Sequence, residues 1–189
     1  VEVLSKKGTI LFSQDETAVE TTYETLAKMK PAFKKDGLGT AGNASIISDG
    51  AAAVVVMSRS KAEKLGCRNM ASIGAQASFG IDMKYVLVAP IWAIPKCLKK
   101  QSLDIKDVDL FEINEAFSGS TVAILRELGL DPSKVNVNGG SVALGHPIGA
   151  SGARVLVTLL YEMARREAKT GLASLCLGGG EAVALIVKR

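Results

Sequence analysis

Leu172-Ala173-Ser174-Leu175-Cys176-Leu177-Gly178-Gly179-Gly180-Glu181-Ala182-Val183-Ala184-Leu185-Ile186-Val187 reads as two apolar strands joined by a glycine turn. Short runs rich in Leu, Val and Ile and bounded by glycine fit buried strands, and so tight a link between them makes an antiparallel hairpin. Working back along the chain, strand and helix patterns alternate. Strands are expected near Ala71–Phe79, Val108–Ile113 and Val135–Val137, with helices near Arg59–Leu65, Ile91–Lys100 and Glu115–Leu128. A further helix opens at Gly149-Ala150-Ser151-Gly152 and buries a stripe of Leu156, Leu159, Leu160 and Met163. In the Glu115–Leu128 helix, Phe117, Thr121, Ile124, Leu125 and Leu128 share one face. Alternation closed by a hairpin predicts an α/β layered sandwich with a mixed sheet.

Toward the start, Ser13-Gln14-Asp15-Glu16 has capping-box spacing, and Val19, Tyr23, Leu26 and Met29 or Lys30 recur at helical intervals up to Pro31. One helix is expected there. The run Gly50-Ala51-Ala52-Ala53-Val54-Val55-Val56-Met57 reads as a buried strand, and a domain boundary is expected near Gly66–Met70.

Composition narrows the function classes. Of 189 residues 48% are apolar and 22% charged, too hydrophobic a balance for a disordered chain. The net charge of +4 is mild, and Lys28, Lys30, Lys34 and Lys35 flank Pro31-Ala32-Phe33 as a solvated face or as an attraction for a phosphate-bearing ligand. Basic residues do not alternate with exposed aromatics, which argues against nucleic acid. The three cysteines, Cys67, Cys97 and Cys176, make no C-x-x-C pair and no even set, so neither a disulfide framework nor a zinc site is expected, and a reducing cytoplasm fits best. Cys67 and Cys97 read as packing residues. No apolar run reaches the roughly 20 residues that span a bilayer, and the start, Val1-Glu2-Val3, has no charged-then-apolar leader pattern and reads as mid-sequence.

Three side chains stand out as chemistry. The one histidine, His146, sits in the glycine-rich stretch Asn136–Gly152 between Gly145 and Pro147. A lone histidine is often structural, but a rigid loop ahead of a helix holds an imidazole without burying it in a core. Gly140 to Gly145 has the first spacing of a phosphate-binding loop, yet His146 and Pro147 stand where that motif needs Lys and Ser or Thr. Cys176 ends a strand beside three glycines whose N–H groups are free to face negative charge, although strand-end cysteines also serve as small hydrophobes. Asn114 opens a helix, where it serves as a cap or holds a water or carbonyl at the sheet's ligand-binding end. Each of the three follows a strand, so convergence is expected.

Asn43-Ala44-Ser45 with Asp49-Gly50-Ala51-Ala52-Ala53, Asn114-Glu115-Ala116-Phe117, Gly145-His146-Pro147-Ile148-Gly149 and Cys176-Leu177-Gly178-Gly179-Gly180 together resemble, in order and spacing, the signature motifs of the thiolase family. The resemblance covers the whole chain and is nearest to the family's biosynthetic acetyl-CoA acetyltransferases, but only to their C-terminal half. It implies that residues 1–47 end a loop domain covering the coenzyme, 48–68 finish the N-terminal domain, and 69–189 form the C-terminal domain. The family's acylated cysteine, in a Cys-Gly-Ser-Gly setting, has no counterpart here, so the chain is expected to be inactive alone.

The implied roles follow the chemistry. Condensing two acetyl-CoA molecules needs a base for a weakly acidic proton and donors for the enolate oxygen. By resemblance Cys176 is the base, His146 activates the absent nucleophile, and His146 with an Asn114-held water forms one oxyanion hole; the Gly178 N–H contributes to the second. Ala41 and Ser45 would lie along the pantetheine arm, with Phe33 and Phe117 as apolar walls. No metal or resident cofactor is implied, coenzyme A thioesters being substrates; a homodimer or homotetramer is. Glu181-Ala182 replaces the family's usual Met or Gln and Gly, Val86–Pro90 replaces a glycine-rich turn, and Ile46-Ile47-Ser48 a smaller stretch, which leaves acyl length open. Rival readings are a cysteine hydrolase, disfavoured by the order Asn, His, Cys, a ketoacyl synthase, disfavoured by Cys176 and the single histidine, and a non-catalytic coenzyme A-binding or structural fragment.

Overall fold

The computed structural model describes residues 1–189 and contains six strands: β1 (Glu2–Ser5), β2 (Gly8–Leu11), β3 (Ser72–Gly80), β4 (Leu110–Ile113), β5 (Thr170–Leu177) and β6 (Glu181–Lys188). Six α-helices accompany them: α1 (Tyr23–Ala27), α2 (Arg59–Lys64), α3 (Pro90–Lys100), α4 (Ser118–Leu128), α5 (Ser141–Leu144) and α6 (Ser151–Arg165). No helix is long and apolar enough to cross a membrane.

The terminal hairpin organises the molecule. β5 and β6 pair antiparallel from Thr170↔Lys188 to Leu177↔Glu181, with Gly178 to Gly180 as the turn. Gly180 has φ +88°, and a side chain there would run into the Ile81 carbonyl, so glycine is required. β3 adds antiparallel to β6 and β4 adds parallel to β5, giving the order β3-β6-β5-β4 and the expected mixed sheet.

Alternation along the strands sorts side chains to two faces. Phe111, Ile113, Leu172, Ala182, Ala184 and Ile186 face α3 and α4 in the larger core, with Ala93, Ile94, Cys97 and Ile124. The small Ala182 and Ala184 let α3 lie close to the sheet, near enough for the Cys97 thiol to donate to the Ala75 and Ala184 carbonyls at 3.2 and 3.5 Å. The opposite face, Leu110, Ala173 and Val187, packs under Val155, Leu159 and Met163 of α6. Val155 is a buried member of that stripe missing from the sequence reading, whereas Leu156 and Leu160 lie at its margin.

Several expectations give way. The helix expected from Val19 shrinks to Tyr23–Ala27, capped by Thr22 rather than by Ser13. Its apolar positions have no core beneath them, and periodicity alone sustains only a marginal helix. Gly50–Met57 forms no strand and lies open, Val55 at 85% exposure, because no segment of this chain offers its backbone a ladder partner. Val135 makes an isolated parallel bridge to Phe111 instead of a strand. Cys67 is exposed rather than packed. The β1–β2 hairpin was unforeseen; Gly8 at φ +113° makes its turn, and neither strand buries a residue.

Candidate active site

β4 ends at Ile113, and the next residue is drawn into the structure rather than left to cap a helix. The Asn114 N–H donates to the Ser174 carbonyl at 3.0 Å, and the side chain is 4% exposed. The following helix begins only at Ser118, behind Phe117, so the capping role expected of Asn114 is not the one it has. Asn114 Oδ1 instead accepts from the Ser141 hydroxyl at 2.6 Å, and its Nδ2 lies 3.5 Å from His146 Nε2, at the outer limit of a hydrogen bond.

The loop carrying His146 is fixed from two sides. Gly145 has φ +92° and ψ 163°, and a side chain on it would overlap the Ser48 hydroxyl. That close approach lets the 43–47 segment dock: the His146 N–H donates to the Ile46 carbonyl at 2.8 Å. The same segment binds the Asn114 loop, with the Ser45 N–H and hydroxyl both donating to Ala116 O, at 3.1 and 2.9 Å, and the Ser118 N–H donating to Asn43 O at 2.9 Å. Residues 43–47 thus tie together the two loops that carry the imidazole and the amide.

Hydrogen-bond direction fixes the imidazole tautomer. The Ser151 hydroxyl donates to Pro147 O at 3.0 Å and lies 2.6 Å from His146 Nδ1. Both contacts are satisfied together only when Nδ1 carries the proton and Ser151 accepts it, which leaves a lone pair on Nε2. Burial, and then the positive charge of Arg154, hold the His146 pKa below its ordinary value, so the ring is neutral at pH 7.

Behind the amide lies a charged cluster absent from the sequence reading. Arg154 on α6 donates through Nη2 to Ser141 Oγ at 3.0 Å, and its Nη1 is 3.8 Å from Glu112 Oε2. Burial pushes the Glu112 carboxyl up to about 7, against the opposing pull of Arg154. Glu115 accepts from the Val142 N–H at 3.3 Å and from Asn136 Nδ2 at 3.4 Å, and it fills the space where a side chain on Gly140 would go. A signal for the missed pair existed: Glu112 is an acid inside an apolar strand, and Arg154 stands three residues from buried Ser151, toward a helix face that otherwise packs.

The remaining expected residues divide. Phe33 and Phe117 meet edge to face with centroids 5.5 Å apart, Phe117 half-buried and Phe33 69% exposed, beside Ser45. Ala41 is exposed at the rim of this segment. Cys176 is half-buried on β5 opposite Ala182, two residues beyond Ser174, whose carbonyl holds Asn114. Burial pushes the Cys176 thiol above its ordinary pKa. Gly178 is exposed at the hairpin tip with open space beside it, and Glu181 is exposed at its far side.

An α/β sheet that brings an imidazole and an amide together beside a cysteine-bearing hairpin is a layout suited to acyl transfer. The family model for the thiolase C-terminal domain matches residues 67–189 and that for the thiolase N-terminal domain matches residues 1–60; the chain belongs to the thiolase family. It is 54% identical over 190 residues to an acetyl-CoA acetyltransferase of Syntrophomonas wolfei and 53% identical over 191 residues to one of Pseudomonas aeruginosa, all of this chain being covered. It spans about half the length of these curated relatives, 48% and 49%. The crystal structure of the Bacillus anthracis acetyl-CoA acetyltransferase superposes with a TM-score of 0.93 at 46% identity, covering 99% of this chain and 48% of that one. Human mitochondrial 3-ketoacyl-CoA thiolase in complex with CoA superposes at 0.86 with 42% identity, over 99% of this chain and 47% of that one.

Proposed function

We propose that this chain supplies the acid-base and oxyanion-binding part of an acetyl-CoA acetyltransferase, which reversibly condenses two acetyl-CoA into acetoacetyl-CoA and coenzyme A. The observation that carries the reading is the pairing of a neutral imidazole, lone pair on Nε2, with the NH2 end of a buried asparagine amide. Such a pair suits deprotonation of a thiol nucleophile and, through a bound water, stabilisation of an enolate oxygen.

In the cleaving direction, the nucleophilic cysteine comes from the part of the relatives that this chain does not span. Relieved of its proton by His146 Nε2, it attacks the 3-keto carbon of acetoacetyl-CoA. The C–C bond breaks, leaving an acyl-enzyme and the enolate of acetyl-CoA, which takes a proton from the Cys176 thiol. The thiol of coenzyme A gives its proton to the Cys176 thiolate and takes the acyl group, and the released nucleophilic cysteine recovers its proton from His146. A raised Cys176 pKa keeps the thiol protonated, the state this direction requires; in condensation it must first give up that proton. The Gly178 N–H faces the acyl-enzyme carbonyl. Ser45 and Ala41 line the pantetheine, and Phe33 and Phe117 wall it. The free thiols suit a reducing cytoplasm, and the assembled enzyme would be a homo-oligomer.

The test is thiolysis of acetoacetyl-CoA by the 189-residue chain alone and with a complementing N-terminal thiolase half. No turnover is expected alone, and turnover is expected on complementation. Activity of the chain alone would refute the division of labour; a tight, coenzyme A-binding complex that never turns over would instead favour a non-catalytic module.

A further inference from the structure

We infer that Arg154 is a positioning residue of this site: by way of Ser141, it decides which end of the Asn114 amide faces His146. The inference rests on the proposed catalytic use of that pair, and three observations lead to it.

The first is direction. Arg154 Nη2 has only hydrogens to offer, so at 3.0 Å it occupies a lone pair of Ser141 Oγ. Ser141 is fully buried and has a single proton, which is left for Asn114 Oδ1 at 2.6 Å. Because the oxygen end of the amide is committed, the NH2 end turns to Nε2. Were the guanidinium absent, the hydroxyl could accept from the Asn114 NH2 instead. The amide would then be free to reverse, placing its oxygen against the Nε2 lone pair. That contact is repulsive, and it is relieved by moving the ring proton from Nδ1 to Nε2, which removes the base.

The second observation is cost. Nε and Nη1 of Arg154 are buried without a hydrogen-bond partner, and the nearest carboxylate oxygen, Glu112 Oε2, is 3.8 Å from Nη1. A half-buried cation with two buried, unpaired nitrogens is disfavoured relative to an apolar side chain such as Val155 or Leu159 on the same helix. The bond that offsets this cost is the one to Ser141.

The third is charge. Arg154 from α6 is the charged group that acts on the imidazole, and Glu112 from β4 and Glu115 from the β4–α4 connection act in turn on Arg154. That positive charge opposes protonation of His146.

His146 is the single histidine, so the nitrogen-15 spectrum of the chain's imidazole has one pair of signals to assign. In the unaltered protein at neutral pH, Nδ1 should show the shift of a protonated nitrogen and Nε2 that of a bare one. Ser141→Ala, which removes one hydroxyl and leaves the charges in place, should move the two shifts toward each other as the Nε2–H tautomer gains population. Arg154→Met should do the same and also raise the pH at which the ring protonates. Should Arg154→Met fail to fold, Ser141→Ala still decides the matter, being a smaller change than any that affects charge. Unchanged imidazole shifts in folded Ser141→Ala, or a protonated Nε2 in the unaltered protein, would overturn the inference. A failed complementation assay with these shifts as expected would bring down the enzymatic reading and leave the positioning intact.

Discussion

Replacing Gly145 with alanine should unlatch the histidine loop, and its cost can be worked from two features. The backbone there has φ +92° and ψ 163°, a region that side-chain-bearing residues enter at about 1–3 kcal/mol. The added methyl would also overlap the Ser48 hydroxyl and come within 2.9 Å of Ser48 Cβ, a contact that must be relieved by shifting the 46–48 backbone, at roughly 1–3 kcal/mol for overpacking. Ser48 is only half-buried and has room to move, so we expect the lower half of the second range and a total of about 3 kcal/mol. With a urea slope of about 2 kcal/mol per molar, the midpoint should fall by about 1.5 M. The assay is urea unfolding followed by the single tryptophan, Trp92, which lies on α3 in the main core's layer. The double variant Gly145→Ala, Ser48→Gly removes the contact but not the backbone strain, and should recover about a third of the loss. A midpoint within about 0.3 M of the parent, or full recovery in the double variant, would refute the argument.

Two further outcomes test the electrostatics and the thiols. The Glu112 carboxyl, raised from 4.5 to about 7 mainly by burial, binds its proton more tightly folded than unfolded, so its contribution to stability declines as pH rises from about 4.5 to 7 and is flat above. Glu112→Gln should flatten that part of the stability–pH curve in thermal melts; an unaltered slope would show that Glu112 does not titrate in that window. Thiol labelling in the native protein should modify exposed Cys67 first and Cys97 only on unfolding, with half-buried Cys176 slower than Cys67 and rising at higher pH, as its raised pKa requires. Cys176 labelling fastest at pH 7 would contradict that order.

What the residues determined by themselves is local and repetitive. Apolar alternation at 172–187 and the triple glycine suffice for the hairpin, because two buried strands and a turn without side chains have few other arrangements. The helices α3, α4 and α6 were likewise legible as elements, and the buried stripe of α6 in part, through Leu159 and Met163, since each packs one face on a sheet within the same chain. Asn114, His146 and Cys176 could be picked out as residues whose chemistry exceeds their structural need, and the motifs around them pointed to the thiolase family now matched along the chain.

Tertiary structure decided everything that depends on a partner distant in sequence. Whether Gly50–Met57 is a strand depends on a neighbour to pair with, and none is present within these residues. The role of Asn114 was decided by Ser141, 27 residues away, and by an arginine a further 13 residues on, none of which any local periodicity connects. The histidine tautomer was decided by where the Ser151 proton goes. Side-chain hydrogen bonds depend on ångström distances and on which atom has a proton to give, and a sequence records neither until the sheet and its loops have brought those atoms together.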